Sequence, residues 1–209
     1  MKVSVSTIAL AELDVDVLIV PVATEHVADG LEELVDAFGS TVERGRVDLK
    51  GESGDVLVLY PDAGTAKRVV LVGIGEMSEC DLEDLRNAAA LGAASAARVK
   101  AETVGISVSD TELDGDDAAQ ALVEGFMLGS YRFERYMTQE EETVPAQRLV
   151  IQTSDQDKQV RRGADRGRIV SEAVASARDL VNLSPDEKTP LLLSKAIEKS
   201  AKKTGYEVT

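Results

Sequence analysis

The 209 residues include one cysteine, one histidine, no tryptophan and three phenylalanines. A single cysteine, Cys80, excludes an internal disulfide and makes a reducing, cytoplasmic setting the expectation. Cys80 and His26 are too few ligands for a Cys/His zinc cluster. HExxH is absent, no G-x-S-x-G elbow occurs, and a Ser-His-Asp triad could draw only on His26. The opening MKVSVSTIALAELDVD has one basic residue and an acid by position 12, which is not the pattern of a signal peptide. No apolar run approaches the roughly 20 residues that span a bilayer. Aromatics make up 3% of a chain that is 44% hydrophobic, so its core must be built from Val, Leu, Ile and Ala.

Charge of one sign dominates. The chain has 23 basic and 38 acidic side chains, a net of −15. Residues 1–150 carry 12 basic and 29 acidic groups, a net of −17, while residues 151–209 carry 11 and 9, a net of +2. The first segment repels phosphate backbones, which disfavours nucleic-acid binding there. Solubility, or adaptation to salt, accounts for such acidity without a partner.

Short apolar strands alternate with amphipathic segments. Residues 2–8 alternate and read as an edge strand; 16–22 and 68–74 are continuous apolar runs, as in strands buried on both faces. Leu31, Leu34, Val35 and Phe38 fall at helical spacing, predicting a helix over 28–38 stopped by Gly39. Strands follow at 55–60, 103–108 and 148–152. Helices are predicted over 81–100, rich in small residues and so closely packed, and over 114–128 with an Asp-rich cap. This is an α/β sandwich with a largely parallel sheet. The stretch 45–60 lacks an intervening helix, so the sheet should be mixed. Residues 138–147 read as a surface loop.

Three features invite a chemical reading. Gly73-Ile74-Gly75 has the start of a dinucleotide loop, but Ser78 stands where a third glycine belongs and Glu76 would face a pyrophosphate. A strand ending in a glycine turn explains it more simply. His26, in Thr24-Glu25-His26, is expected in a loop with a structural or exposed role. Cys80 stands beside Asp81 and Glu83, and neighbouring acids raise a thiol's pKa, which argues against a reactive thiolate.

Beyond 155 the character changes. Residues 157–181 read as one long helix bearing Arg161, Arg162, Arg166 and Arg168, most simply a solvated face paired i,i+4 to Asp165 or Glu172. Asn182-Leu183-Ser184-Pro185 breaks it, and Thr189-Pro190 caps a further helix to about 203. The ending Gly205-Tyr206-Glu207-Val208-Thr209 reads as a strand barely begun, as if a second domain were starting. The expected division is a 1–154 α/β domain, a 155–183 linking helix, and 184–209 as the start of another domain.

Two runs carry a family resemblance. Glu124-Gly125-Phe126-Met127-Leu128-Gly129-Ser130-Tyr131-Arg132-Phe133 resembles a helix-ending turn late in the N-terminal domain of cytosolic leucyl aminopeptidases, the M17 peptidases. Ala177-Arg178-Asp179-Leu180-Val181-Asn182-Leu183-Ser184-Pro185 with Thr189-Pro190 resembles that family's junction into its catalytic domain. The resemblance covers essentially the whole sequence but only the first portion of the family's chain. It implies a macro-domain-like three-layer α/β/α sandwich followed by a long linking helix. For the complete protein it implies hydrolysis of N-terminal residues from peptides by two divalent metals (zinc or manganese) and a homo-hexamer; the expected setting is the cytoplasm, and the charge and the lack of long apolar runs leave no nucleic acid or membrane among the expected partners. The family's metal ligands lie in an Asn-Thr-Asp-Ala-Glu-Gly-Arg run and its surroundings, which this sequence lacks. The site residues expected in this chain are therefore none, whether catalytic, cofactor-binding or metal-ligating. Tyr131, Arg132 and Phe133 are expected to be architectural. Two other readings differ in class. One is a free-standing macro-like module for ADP-ribose or a related nucleotide, although Pro21-Val22-Ala23-Thr24-Glu25 replaces the expected Asn-rich loop. The other is DNA binding through the arginine-bearing helix, which the −17 segment opposes.

Overall fold

The structure, a computed structural model, describes residues 1–108, 113–138, 144–154 and 158–207. Among the described residues six short strands form one sheet: β1 (Lys2–Ser6), β2 (Val17–Val22), β3 (Val56–Leu59), β4 (Val69–Gly73), β5 (Thr103–Ser107) and β6 (Arg148–Gln152). Their order is β1-β6-β5-β2-β4-β3. Every pair is parallel except β3 with β4, so the sheet is mixed as expected, although the reason is the short helix-free connection from Leu59 to Val69 and not a helix missing before β3. β1 lies at one edge and pairs with β6, Lys2 opposite Arg148 and Ser6 opposite Gln152.

The all-apolar β2 and β4 are central and fully buried, because helices cover both faces. One face holds α1 (Thr24–Ala28), α2 (Glu32–Phe38) and α3 (Ser40–Gly45). Leu34, Phe38 and Val42 pack there on Leu18, Val20 and Leu71. The other face holds α4 (Leu82–Arg98), α5 (Gly115–Gly129) and the start of α6 (Lys158–Asn182). Leu85, Leu122, Phe126 and Val160 pack there on Val17, Ile19, Val70 and Ile106. The result is a three-layer α/β/α sandwich with a long helix following it. A last helix, α7 (Pro190–Thr204), begins at the expected cap, with the Thr189 hydroxyl accepting from the Leu192 N–H at 3.4 Å.

Small residues permit close helix contacts. A methyl added at Gly92 of α4 would stand 2.5 Å from Ile19, and one at Gly163 of α6 would stand 1.9 Å from the Asp116 carbonyl oxygen of α5. α4 starts on a capping box: the Asp81 carboxylate accepts from Glu83 and Asp84 N–H, and Asp84 accepts from Asp81 N–H in return.

The structure differs from expectation in three places. The helix expected over 28–38 starts only at Glu32, because Gly30 at φ +96° and Leu31 at φ +55° turn the chain between α1, which ends at Ala28, and α2. α3 was not foreseen. The arginines of α6 do not all pair along their own helix. Arg168 does meet Glu172 at 3.0 Å, but Arg162 and Arg166 reach across to Asp116 of α5. Part of the expected loop 138–147, at 139–143, and the chain end at 208–209 lie outside the described residues.

Candidate functional site

In an open α/β sheet, ligands bind at the carboxyl ends of strands where successive connections leave on opposite faces. Here that point lies between β2 and β5. The chain leaves β2 towards α1 and α2 on one face, and β5 towards α5 on the other. A cavity of about 320 Å³ opens there, lined by Val20, Pro21 and Val22 of β2, by Ser107 and Val108, and by Gln152. Two of its polar side chains are tied down. The Ser107 hydroxyl donates to the Gln152 carboxamide oxygen at 3.0 Å, and the Gln152 amide donates to the Ile8 carbonyl at 3.3 Å. Both side chains belong to residues more than nine-tenths buried. The mouth is acidic, with Asp29, Glu32 and Glu33 beside His26. Such a mouth repels a diphosphate and suits a neutral or cationic guest.

His26 lies in the single-turn helix α1 rather than in a loop, half-buried at the cavity wall. The Gly73-Ile74-Gly75 run ends β4 and lets the 51–54 turn close over it. Gly75 N–H donates to the Gly51 carbonyl at 2.8 Å, and a Cβ at Gly73 would come 2.1 Å from the Glu52 carbonyl. The next main-chain N–H that could meet a phosphate, Met77, already donates to both oxygens of Glu25 at 3.1 Å. That carboxyl is held below its ordinary pKa by its own main-chain N–H and by that of Met77. Cys80 is half-buried. Burial first, then the charges of Asp84 and Asp81, push its thiol up to about 11.

The turn after α5 clasps the far end of α6. The Tyr131 hydroxyl donates to Asp179 at 2.7 Å, and Arg178 lies 5.4 Å over the Tyr131 ring while donating to the Leu128 carbonyl. Phe133 and Tyr136 meet edge to face at 5.5 Å. The Tyr136 hydroxyl bonds Glu187 and accepts from the Ser184 N–H at 2.8 Å. Phe133 is half-buried rather than enclosed, so its packing matters less than these hydrogen bonds. Sequence reasoning missed Asp116, a buried carboxylate held by Arg162 and by Arg166 at 2.9 Å. In Asp114-Gly115-Asp116-Asp117 nothing distinguishes it from the capping residue Asp114.

The described residues contain no group of three or more His, Cys, Asp or Glu side chains able to hold a metal ion. The two divalent metals implied by the resemblance thus have no donor set among them.

Residues 20–140 match the model of the cytosol aminopeptidase family, N-terminal domain. A probable cytosol aminopeptidase of Chloroherpeton thalassium is 31% identical over 100% of this chain and 45% of its own length. One of Syntrophotalea carbinolica is 34% identical over 76% of this chain and 33% of its own. The chain thus spans less than half the length of these relatives. Among solved structures, a mutant of tomato leucine aminopeptidase superposes with a TM-score of 0.84 at 21% identity, covering 97% of this chain and 42% of that one. The bottromycin maturation enzyme BotP, in complex with Mn, superposes with a TM-score of 0.71 at 23% identity, covering 91% and 37%. At these identities the superpositions establish the fold.

Proposed function

The chain belongs to the cytosol aminopeptidase family through that family's N-terminal domain, and from this we propose that it is the non-catalytic N-terminal portion of a leucyl aminopeptidase. The complete protein would release N-terminal residues from peptides, and the two divalent metals that the resemblance implies, zinc or manganese, would be held by residues other than those described here. This portion would supply folding and hexamer assembly but no catalytic, cofactor-binding or metal-ligating residue. Residues 1–154 would form its domain, 155–183 the linking helix, and 184–209 the entry to the catalytic portion. The setting would be cytoplasmic, with copies of the chain, the catalytic portion and peptide substrates as partners, and neither nucleic acid nor membrane. The family match over 20–140 carries the reading. The apolar face of α7 agrees with it: Leu191, Leu192 and Ile197 stand exposed, as a surface awaiting a further domain would. Among the described residues no helix is long and apolar enough to cross a membrane.

The test is hydrolysis of leucine-p-nitroanilide by the purified chain with manganese or zinc added. No turnover is expected. Turnover that persists through purification and scales with the chain would sink the proposal.

A second reading, a macro-like nucleotide-binding module, draws on the cavity at the β2/β5 switch point. The acidic mouth opposes it. Titration calorimetry with ADP-ribose should give no heat of binding, and a saturable signal would favour this second reading.

A further inference from the structure

We propose that the cavity at the β2/β5 switch point binds a monoacylated diamine, a small molecule with a primary ammonium at one end, a methylene stem, and a secondary amide at the other. The proposal goes beyond the aminopeptidase reading and does not rest on it.

Strand register sets the layout of the site. Ile19 of β2 lies opposite Ile106 of β5, and Ile106 lies opposite Ile151 of β6. One residue further on, Val20, Ser107 and Gln152 form a row across three strands, and all three line the cavity. With neighbouring strands about 4.8 Å apart, the row runs roughly 10 Å from β2 to β6. Its β2 end is apolar, where Val20 and Val22 meet Leu31 and Leu34, all buried. Its β5–β6 end is polar.

The polar end is only half satisfied. Ser107 and Gln152 are 6% and 7% exposed. The Ser107 hydroxyl hydrogen is given to the Gln152 carboxamide oxygen, and one Gln152 N–H is given to the Ile8 carbonyl. A carboxamide has two N–H donors, and a hydroxyl oxygen can accept twice. Among the described residues nothing meets the second Gln152 N–H or the lone pairs of Ser107. A donor and an acceptor buried side by side are the complement of a secondary amide. Its carbonyl would accept from Gln152, and its N–H would donate to the Ser107 oxygen.

The other end selects charge. Glu32 and Glu33 stand on α2, whose Leu34 packs with Val20, so these acids lie on the β2 side of the cavity, with Asp29 beside them. None of the three carboxylates has an ion-pair partner among the described residues. Arg46, whose guanidinium lies by Gly30, does not pair with them, and His26 is the one basic side chain among the described residues of the lining. Such a mouth draws a cation and turns away a phosphate or carboxylate. A stem of about four methylenes bridges the apolar stretch between amide and ammonium. At roughly 30 Å³ for each water-sized group, the cavity of about 320 Å³ holds about ten non-hydrogen atoms. N-acetylputrescine has this size and these parts.

Titration of the nitrogen-15-labelled chain with N-acetylputrescine, followed by NMR, tests the proposal. Saturable shifts are expected at the amides of Val22, Ser107 and Gln152. N-butylacetamide, which keeps the amide but lacks the charge, should bind about tenfold more weakly. 4-Acetamidobutanoate, with a carboxylate in place of the ammonium, should not bind. The double variant Glu32→Gln with Glu33→Gln changes two exposed side chains and should keep its circular dichroism spectrum. It should weaken N-acetylputrescine about tenfold and leave N-butylacetamide unchanged. Absence of saturation, shifts confined to other residues, or equal binding of the charged and neutral amides would overturn the site. So would a double variant that binds N-acetylputrescine as well as the wild type does. Each of these outcomes leaves the aminopeptidase reading standing, because that reading is tested by turnover and not by this cavity.

Discussion

Asp16 does more structural work than its place just before β2 suggests. Its carboxylate accepts from Lys67 Nζ at 2.6 Å, from the N–H groups of Glu102 and Thr103, and from the Thr103 hydroxyl. It thereby ties the starts of β2 and β5 to the turn before β4. Lys67 above all, with Thr103, holds this carboxyl well below the usual carboxylate range. The native state thus resists protonating it while the unfolded chain titrates near pH ~3.9. Its stabilisation is full above that pH and is lost as pH falls through and below it. Asp16→Ala should cost about 2 kcal/mol in urea unfolding at neutral pH. In Asp16→Asn the decline of melting temperature with acidification should be shallower than in the wild type. Cys80 gives a second residue-scale expectation. Its thiol is raised from 9.0 to about 11, so at neutral pH its thiolate fraction, and its alkylation by iodoacetamide, should be on the order of a hundredfold lower than in the unfolded chain. Equal rates in the native and urea-unfolded states would contradict the buried, acid-flanked setting.

The α5–α6 contact is where glycine matters most among the elements. With the Asp116 carbonyl 1.9 Å from any Cβ at Gly163, Gly163→Ala must push the two helices apart and stretch the Arg162 and Arg166 contacts to Asp116. A loss of about 1–3 kcal/mol is expected from overpacking, read from the denaturation midpoint. α7 makes the opposite case. Most of its side chains are exposed and only Ala201 is buried among those described, so its amides should exchange within the dead time of a manual experiment while those of β2 and β4 persist. Slow exchange across 190–204 in a single chain would contradict this. These contrasts also show what was legible in the sequence. Continuous apolar runs announced β2 and β4, and caps and periodicity announced α4 to α7, because such signals are local. The turn at Gly30 and Leu31 was hidden because Leu31 is a core residue whether it lies inside a helix or just before one. The Asp116 cluster and the cavity at Ser107 and Gln152 were hidden because each joins residues some 45 positions apart in sequence, which no periodicity records.

For the molecule as a whole, a net charge of −15 on a compact body means self-repulsion that salt screens. Melting temperature should rise with sodium chloride in a scanning-fluorimetry series. A fall would mean that partly buried ion pairs, such as Arg86 with Glu124 at 2.9 Å, outweigh the repulsion. The pairing of β1 with β6 has a consequence in time as well as in space. Among the described residues β1 has its one sheet partner about 145 residues downstream, Lys2 opposite Arg148. At about 5–20 residues per second, roughly 7–30 seconds of synthesis separate the two, while β2 to β5 can already assemble without either. During synthesis β1 therefore waits as an unpaired strand, and the ribosome's pace sets the earliest moment at which this sheet can close.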